Sequence, residues 1–137
     1  MARGLTFDTG ALIALERAAK GGGTSRAIAI WAAAQKRALR VTVPSAVVLE
    51  WWRGQRGPAA RLLDRMDVEP LTRELAELAG AALARMPRGP RTRTPSIVDA
   101  VVVASAAQRG DVVYTSDVED LERLRTAAFP SVRVLAV

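Results

Sequence analysis

Four acids in this sequence stand where chemistry can use them. Asp8 ends the strand-like stretch Leu5-Thr6-Phe7, and Glu50 follows Val47-Val48-Leu49 and precedes Trp51-Trp52. Asp99 sits in Ser96-Ile97-Val98-Asp99-Ala100, and Asp117 follows Val112-Val113-Tyr114-Thr115-Ser116. Asp99 is the one charge between Thr94 and Gln108, on an apolar stretch where an ionised carboxylate is costly unless something cationic meets it. Carboxylates gathered in one crevice repel each other, and their pKa values rise unless cations neutralise them. The 137 residues include no histidine and no cysteine. That excludes a Ser-His-Asp triad, thiolate nucleophiles, cysteine-bound zinc and every imidazole metal site. The two lysines, Lys20 and Lys36, lie away from these motifs. A hard divalent metal held through oxygen is then the natural neutralising agent, with arginine as the alternative.

Each acid also has a plainer reading. Asp8 can cap the helix that follows it. Ser96 and Asp99 have capping-box spacing, with Asp in place of the usual Glu. Asp117 suits a helix start through the macrodipole, with Ser116 and Glu119 as a second capping box. Glu50 can be a surface residue, although its apolar neighbours leave little polar face around it. Taken together, these readings leave unexplained why four elements each deliver an acid to the same edge of a sheet.

The elements that must position them follow from periodicity and punctuation. Leu5–Phe7 reads as a strand, and Leu12, Ile13 and Leu15 mark a helix from Thr9 to about Lys20, ended by Gly21-Gly22-Gly23. Thr24 or Ser25 caps a second helix carrying Ile28, Ile30, Trp31 and Leu39. Val41–Val43 is a strand closed by Pro44, and Ser45 caps a helix through Arg53. Gly54 and Gly57-Pro58 break the chain before a short helix with Leu62, Leu63 and Met66, and Val68-Glu69-Pro70 is an edge strand. Thr72 starts a helix with Leu75, Leu78, Ala79 and Leu83, and a basic loop spans Pro87–Pro95. Ser96 then caps an apolar helix ended by Gly110. Val112–Thr115 is a strand, Ser116 caps a helix through Arg125, and Val132–Ala136 is the last strand. Strands alternating with helices predict an α/β domain around a largely parallel central sheet flanked by helices, one domain over residues 1–137. In such a sheet ligands bind beyond the carboxyl ends of the strands, where all four acids fall.

Charge agrees with an anionic partner. Lys plus Arg outnumber Asp plus Glu by 20 to 14, a formal charge of +6. Arg53 and Arg56 follow Glu50, and Arg88, Arg91 and Arg93 lead into the Asp99 segment. These arginines are candidates for contact with the phosphates of an anionic partner, or else solvated surface. Trp51 and Trp52 offer base stacking or protein packing; adjacent helical residues point about 100° apart, so at least one should face protein. The apolar runs Ala27–Ala34 and Ala100–Ala107 are far shorter than the roughly 20 residues that span a bilayer. A cytoplasmic protein without membrane contact is expected. A dinucleotide-binding domain would need Gly-x-Gly-x-x-Gly after the first strand, and a phosphatase an Asp-x-Asp there; neither pattern is present. A non-catalytic RNA- or protein-binding module is the alternative to an enzyme.

Phe7-Asp8-Thr9-Gly10-Ala11-Leu12, Val48-Leu49-Glu50-Trp51-Trp52-Arg53-Gly54, Ser96-Ile97-Val98-Asp99-Ala100 and Tyr114-Thr115-Ser116-Asp117-Val118-Glu119-Asp120-Leu121 occur in this order along the chain. In that ordered set the sequence resembles PIN-domain ribonucleases, most of all VapC-type toxins of type II toxin–antitoxin pairs. The resemblance implies a single PIN domain and an endoribonuclease dependent on Mg²⁺, with Mn²⁺ as substitute. It implies Asp8, Asp99 and Asp117 as metal ligands, directly or through water, with Glu50 completing the shell or positioning water. Thr9, Thr115 and Ser116 would be neighbouring hydroxyls, and Asp120 either a further ligand or a helix-start acid. Activated water would cut RNA to leave a 5′-phosphate and a 3′-hydroxyl. A cognate VapB-type antitoxin and a homodimer are the implied partners.

Overall fold

The apolar strands run parallel, and their order is set by a reversal in the chain's path. The computed structural model describes residues 4–21, 26–54, 57–88 and 93–137. Within these, β1 (Gly4–Phe7), β2 (Arg40–Pro44), β3 (Asp67–Glu69), β4 (Val112–Thr115) and β5 (Arg133–Ala136) form one sheet in the order β3-β2-β1-β4-β5. Every neighbouring pair is parallel. The chain steps outward from β1 through β2 to β3, then returns to the other side of β1 for β4 and β5. The β1–β4 pair is therefore the topological switch point, where an open parallel sheet leaves a crevice beyond its strand ends.

Helices cover both faces, as an all-parallel sheet requires. They are α1 (Thr9–Ala19), α2 (Arg26–Lys36), α3 (Ser45–Trp51), α4 (Pro58–Arg61), α5 (Arg73–Ala84), α6 (Ile97–Arg109) and α7 (Val118–Ala128), with a 3₁₀ turn at Leu62–Arg65. Ala100 to Ala106 of α6 are all buried, and this helix packs against β1, β2, β4, α3, α5 and α7. Phe7, Leu12, Leu15, Val43, Val102, Val103, Val113, Leu121 and Leu124 fill the core with almost no exposure. No helix among the described residues is long and apolar enough to cross a membrane.

The α/β architecture with its parallel sheet is as the sequence predicts; several boundaries differ. The second helix stops at Lys36, before Leu39, because Ala38 turns the chain at φ 53°. Pro44, not Ser45, occupies the N-cap of α3, which ends at Trp51. The Ser45 hydroxyl instead accepts from the Leu71 N–H at 3.1 Å, tying α3 to the segment after β3. Ser116 does not cap α7 either. The Thr115 Oγ1 accepts from the Asp117 N–H at 2.9 Å, a local bond that turns the chain out of β4 and moves the N-cap on to Asp117. That helix runs to Ala128, and the last strand begins at Arg133. Leu62 and Leu63 lie in the 3₁₀ turn, with Met66 beyond it. The Thr24 and Ser25 caps lie outside the described residues.

A polar network lies between α6 and the sheet. Arg109 donates from Nε to Asp111 Oδ2 at 2.9 Å, from Nη2 to Thr6 Oγ1 at 2.7 Å, and from Nη1 to Glu69 Oε2. Thr6 in turn donates to Asp111 at 2.9 Å, and Ser105 to Glu69 at 2.9 Å. One guanidinium thus joins the end of α6 to β1, β3 and the lead into β4.

Candidate active site at the strand ends

Asp8 leaves the end of β1 at the switch point and is 7% exposed. Its Oδ1 accepts from the Ala11 N–H at 2.8 Å, so it does cap α1, and its Oδ2 accepts from the Thr115 hydroxyl at the end of β4. Capping does not make it an ordinary cap. Burial above all, then the charges of Asp99 and Asp117, push its carboxyl from an ordinary 3.8 up to about 6, against the lowering effect of the two hydrogen bonds.

Asp99 likewise serves two readings together. Its Oδ2 accepts from the Ser96 N–H at 3.1 Å while Ser96 Oγ accepts from the Asp99 N–H at 3.0 Å, a complete capping box. Its half-buried carboxyl is also raised, by burial first and further by the charges of Asp120 and Glu50, while the bonds to Ser96 lower it. Asp117 stands exposed at the N-cap of α7 with no side-chain cap bond, and Glu50 is exposed in the last turn of α3. Asp120 is buried three residues further on in α7, its carboxylate 3.6 Å from Arg123 Nη1 and 3.7 Å from Arg93 Nη2. The five acids therefore form one electrostatic chain: Asp117 with Asp8, Asp8 with Asp99, Asp99 with Glu50 and Asp120.

Thr115 links the two strand ends, since it donates to Asp8 and accepts from Asp117. The Thr9 hydroxyl is buried with no hydrogen-bond partner among the described residues. Ser116 packs on Gly10: a Cβ at Gly10 would lie 1.9 Å from Ser116 Oγ and 2.9 Å from its Cβ. Gly10→Ala should therefore destabilise the fold by about 1–3 kcal/mol through overpacking. Urea unfolding would measure it, and a second change, Ser116→Gly, should restore most of the loss; no recovery would mean the contact is not the cause.

Arg53, Arg88 and Arg93 are exposed, and Arg93 reaches Asp120; Arg56 and Arg91 lie outside the described residues. Trp51 is buried and Trp52 exposed, so the pair splits between core and surface. Arg123 is the site residue that the sequence reading missed. Its signal was the i,i+3 spacing to Asp120.

Arginine neutralises Asp120; among the described residues none pairs with Asp8, Glu50, Asp99 or Asp117. The donor set is all oxygen, anionic and partly desolvated, which matches a hard divalent cation in chemistry and charge. Among the described residues no three acids converge closely enough to hold an ion by themselves. A cation here would have to be shared partly through water, which Mg²⁺ tolerates because it keeps much of its hydration.

No family model matches the sequence, and no curated protein matches it. Solved structures do. VapC20 of Mycobacterium tuberculosis, a toxin that cleaves the sarcin-ricin loop, superposes with a TM-score of 0.64 at 27% identity, over 94% of this chain and 98% of that one. VapBC2 from Rickettsia felis, bound to a fragment of its promoter DNA, gives 0.66 at 10% identity over 97% and 98%. FitAB, bound to a DNA fragment, gives 0.56 at 16% identity over 96% and 94%. The two at lower identity speak for the fold alone. With a parallel sheet reversing at β1 and acids ranged along its carboxyl edge, the chain has the PIN-domain fold and is built like the VapC-type toxins it superposes on.

Proposed function

We propose that the chain is a metal-dependent endoribonuclease toxin, held in check by a cognate antitoxin. The observation that carries the reading is the burial of Asp8 at the switch point, where Asp99 and Asp117 act on it and, among the described residues, no arginine pairs with it. Folding leaves that charge uncompensated, and a divalent ion is the partner of matching chemistry. Likeness to VapC20, a toxin that cleaves the sarcin-ricin loop, supports both RNA as the substrate and a toxin's role; VapBC2 and FitAB support the fold.

Asp8, Asp99 and Asp117 would hold Mg²⁺ or Mn²⁺, directly or through water, with Glu50 at the edge of the shell. The bound ion supplies Lewis acidity, lowering the pKa of water and stabilising charge on a phosphate. The protein's own part is placement. Thr115 fixes the orientation of the Asp8 carboxylate through its hydroxyl, and the capping box fixes that of Asp99. Glu50, exposed and acting through its charge on Asp99, would complete the shell or position water. Arg93 and Arg123, gathered by Asp120, offer positive charge beside the acids for an approaching phosphate. The exposed Leu49 and Ile97, 81% and 73% accessible beside the acids, offer apolar surface for the antitoxin or a second copy.

Purified protein should cut a pool of structured RNAs with Mg²⁺ or Mn²⁺, and stop on adding EDTA or the cognate antitoxin. Asp99→Asn should be inactive under every condition. Cleavage that survives EDTA would sink the metal-dependent reading, and binding without cleavage under any divalent ion would leave a non-catalytic RNA-binding module.

A further inference from the structure

A groove of about 440 Å³ lies outside the row of acids, between α7 and the segment that follows α5. Met86, Pro87 and Ala127 give it an apolar lining; Glu119, Glu122, Arg123 and Thr126 give it polar groups, with Glu122 accepting from Arg125 Nε at 2.9 Å. Residues 119, 122, 123 and 126 share one face of α7 by helical spacing, with Ala127 at its edge on the side of buried Asp120. Arg123 belongs to both places, lining the groove and standing 3.6 Å from Asp120. The groove therefore begins where the row of acids ends.

We infer that this groove is a subsite for one unpaired base of an RNA strand, and that it favours guanine. The inference rests on the nuclease reading for the strand's position and on the groove's own chemistry for the base. The volume lies in the range of ordinary ligand pockets, about 300–1,000 Å³. Proline and a methionine thioether suit the face of a flat aromatic ring. Glu119 has no hydrogen-bond or ion-pair partner among the described residues, and its two carboxylate oxygens match the adjacent N1–H and N2–H donors of guanine. Adenine, cytosine and uracil lack that pair of donors. Arg123, held only loosely by Asp120, keeps guanidinium N–H groups for the phosphate that joins this base to the strand. A single-stranded RNA with splayed bases is the substrate form such a subsite can read.

The test uses the whole protein and labelled oligouridines of about eight nucleotides in which the central base is U, A, C or G. Ca²⁺ serves as the divalent ion for binding and Mg²⁺ for cleavage. The guanine-containing strand should bind about tenfold more tightly than the others, the scale of one bidentate base contact. Glu119→Gln and Thr126→Trp, both at exposed positions, should remove that preference and leave affinity for the all-uridine strand within about twofold. Equal binding of the four strands, no binding of any, or a preference unmoved by Glu119→Gln would overturn the subsite and leave the groove to a protein partner. Cleavage without base preference would refute the subsite alone. Guanine-selective binding with no cleavage in Mg²⁺ would establish it and refute the nuclease reading instead.

Discussion

Asp8→Asn should abolish RNA cleavage and at the same time make the metal-free protein more stable at neutral pH. Activity should fall at least about 10²-fold, the scale on which loss of one preorganised electrostatic group acts. The amide keeps the size of the carboxylate: its oxygen can still accept from the Ala11 N–H, and its NH₂ can donate to Thr115 Oγ1. What it lacks is the charge. In the folded chain the Asp8 carboxyl ionises near 6, against an ordinary 3.8 once unfolded. Below the lower value both states hold the proton and folding gains nothing from the difference. As pH rises toward 6 the unfolded chain releases its proton while the folded chain keeps it, so wild-type stability falls. Above 6 the loss is complete, of the order of 3 kcal/mol for a gap of about two pH units. Asp8→Asn carries no such penalty. In EDTA its advantage over wild type should be small at pH 4 and should grow until just above pH 6. Urea unfolding of both proteins across that range measures it. A constant difference with pH would mean that Asp8 is not the strained group, and cleavage within tenfold of wild type would remove it from the catalytic set. Mg²⁺ should narrow the gap at neutral pH by stabilising wild type alone.

That prediction also marks what could be read from the residues. The strand-end acids were legible because an isolated charge on Ile97–Ala107, or at the close of a strand, conflicts with local patterning. Local signals also placed the caps at Asp8, Thr72 and Ser96, each bonded to a backbone N–H three residues on. Where a competing partner lay close in sequence but off the helix pattern, the reading slipped: Thr115 took the Asp117 N–H and displaced Ser116 from its expected role. Partners far apart in sequence were invisible. Ser45 meets Leu71 across 26 residues, and nothing near either announces it. Capping and functional readings of Asp8 and Asp99 had looked like rivals, yet each carboxylate uses one set of lone pairs for its helix and keeps others for the crevice.

Arg109 belongs to the same illegible class and should carry one of the largest single contributions to stability. Its partners Thr6 and Glu69 lie 103 and 40 residues away, so its position at the end of an apolar helix reads as an ordinary last-turn cation. Arg109→Met should cost roughly 3–5 kcal/mol, because it leaves partly buried Glu69 and nearly buried Asp111 with no countercharge. Arg109→Lys keeps the charge but cannot reach three acceptors from one planar fork, so its loss should be intermediate. Adding Glu69→Gln and Asp111→Asn to Arg109→Met should recover part of the loss, since the penalty lies in stranded charge more than in missing contacts. Urea unfolding of this series at neutral pH separates the two. If Arg109→Met costs under about 1 kcal/mol, the network is solvated in practice and its charges are screened as surface pairs are. If the cost is as large as expected, the clamp has a consequence for the site. The helix that Arg109 fastens to Thr6 carries Asp99 at its other end, and Thr6 stands two residues before Asp8. The spacing of those two carboxylates is then held at both ends of α6, by the capping box above and by the guanidinium below.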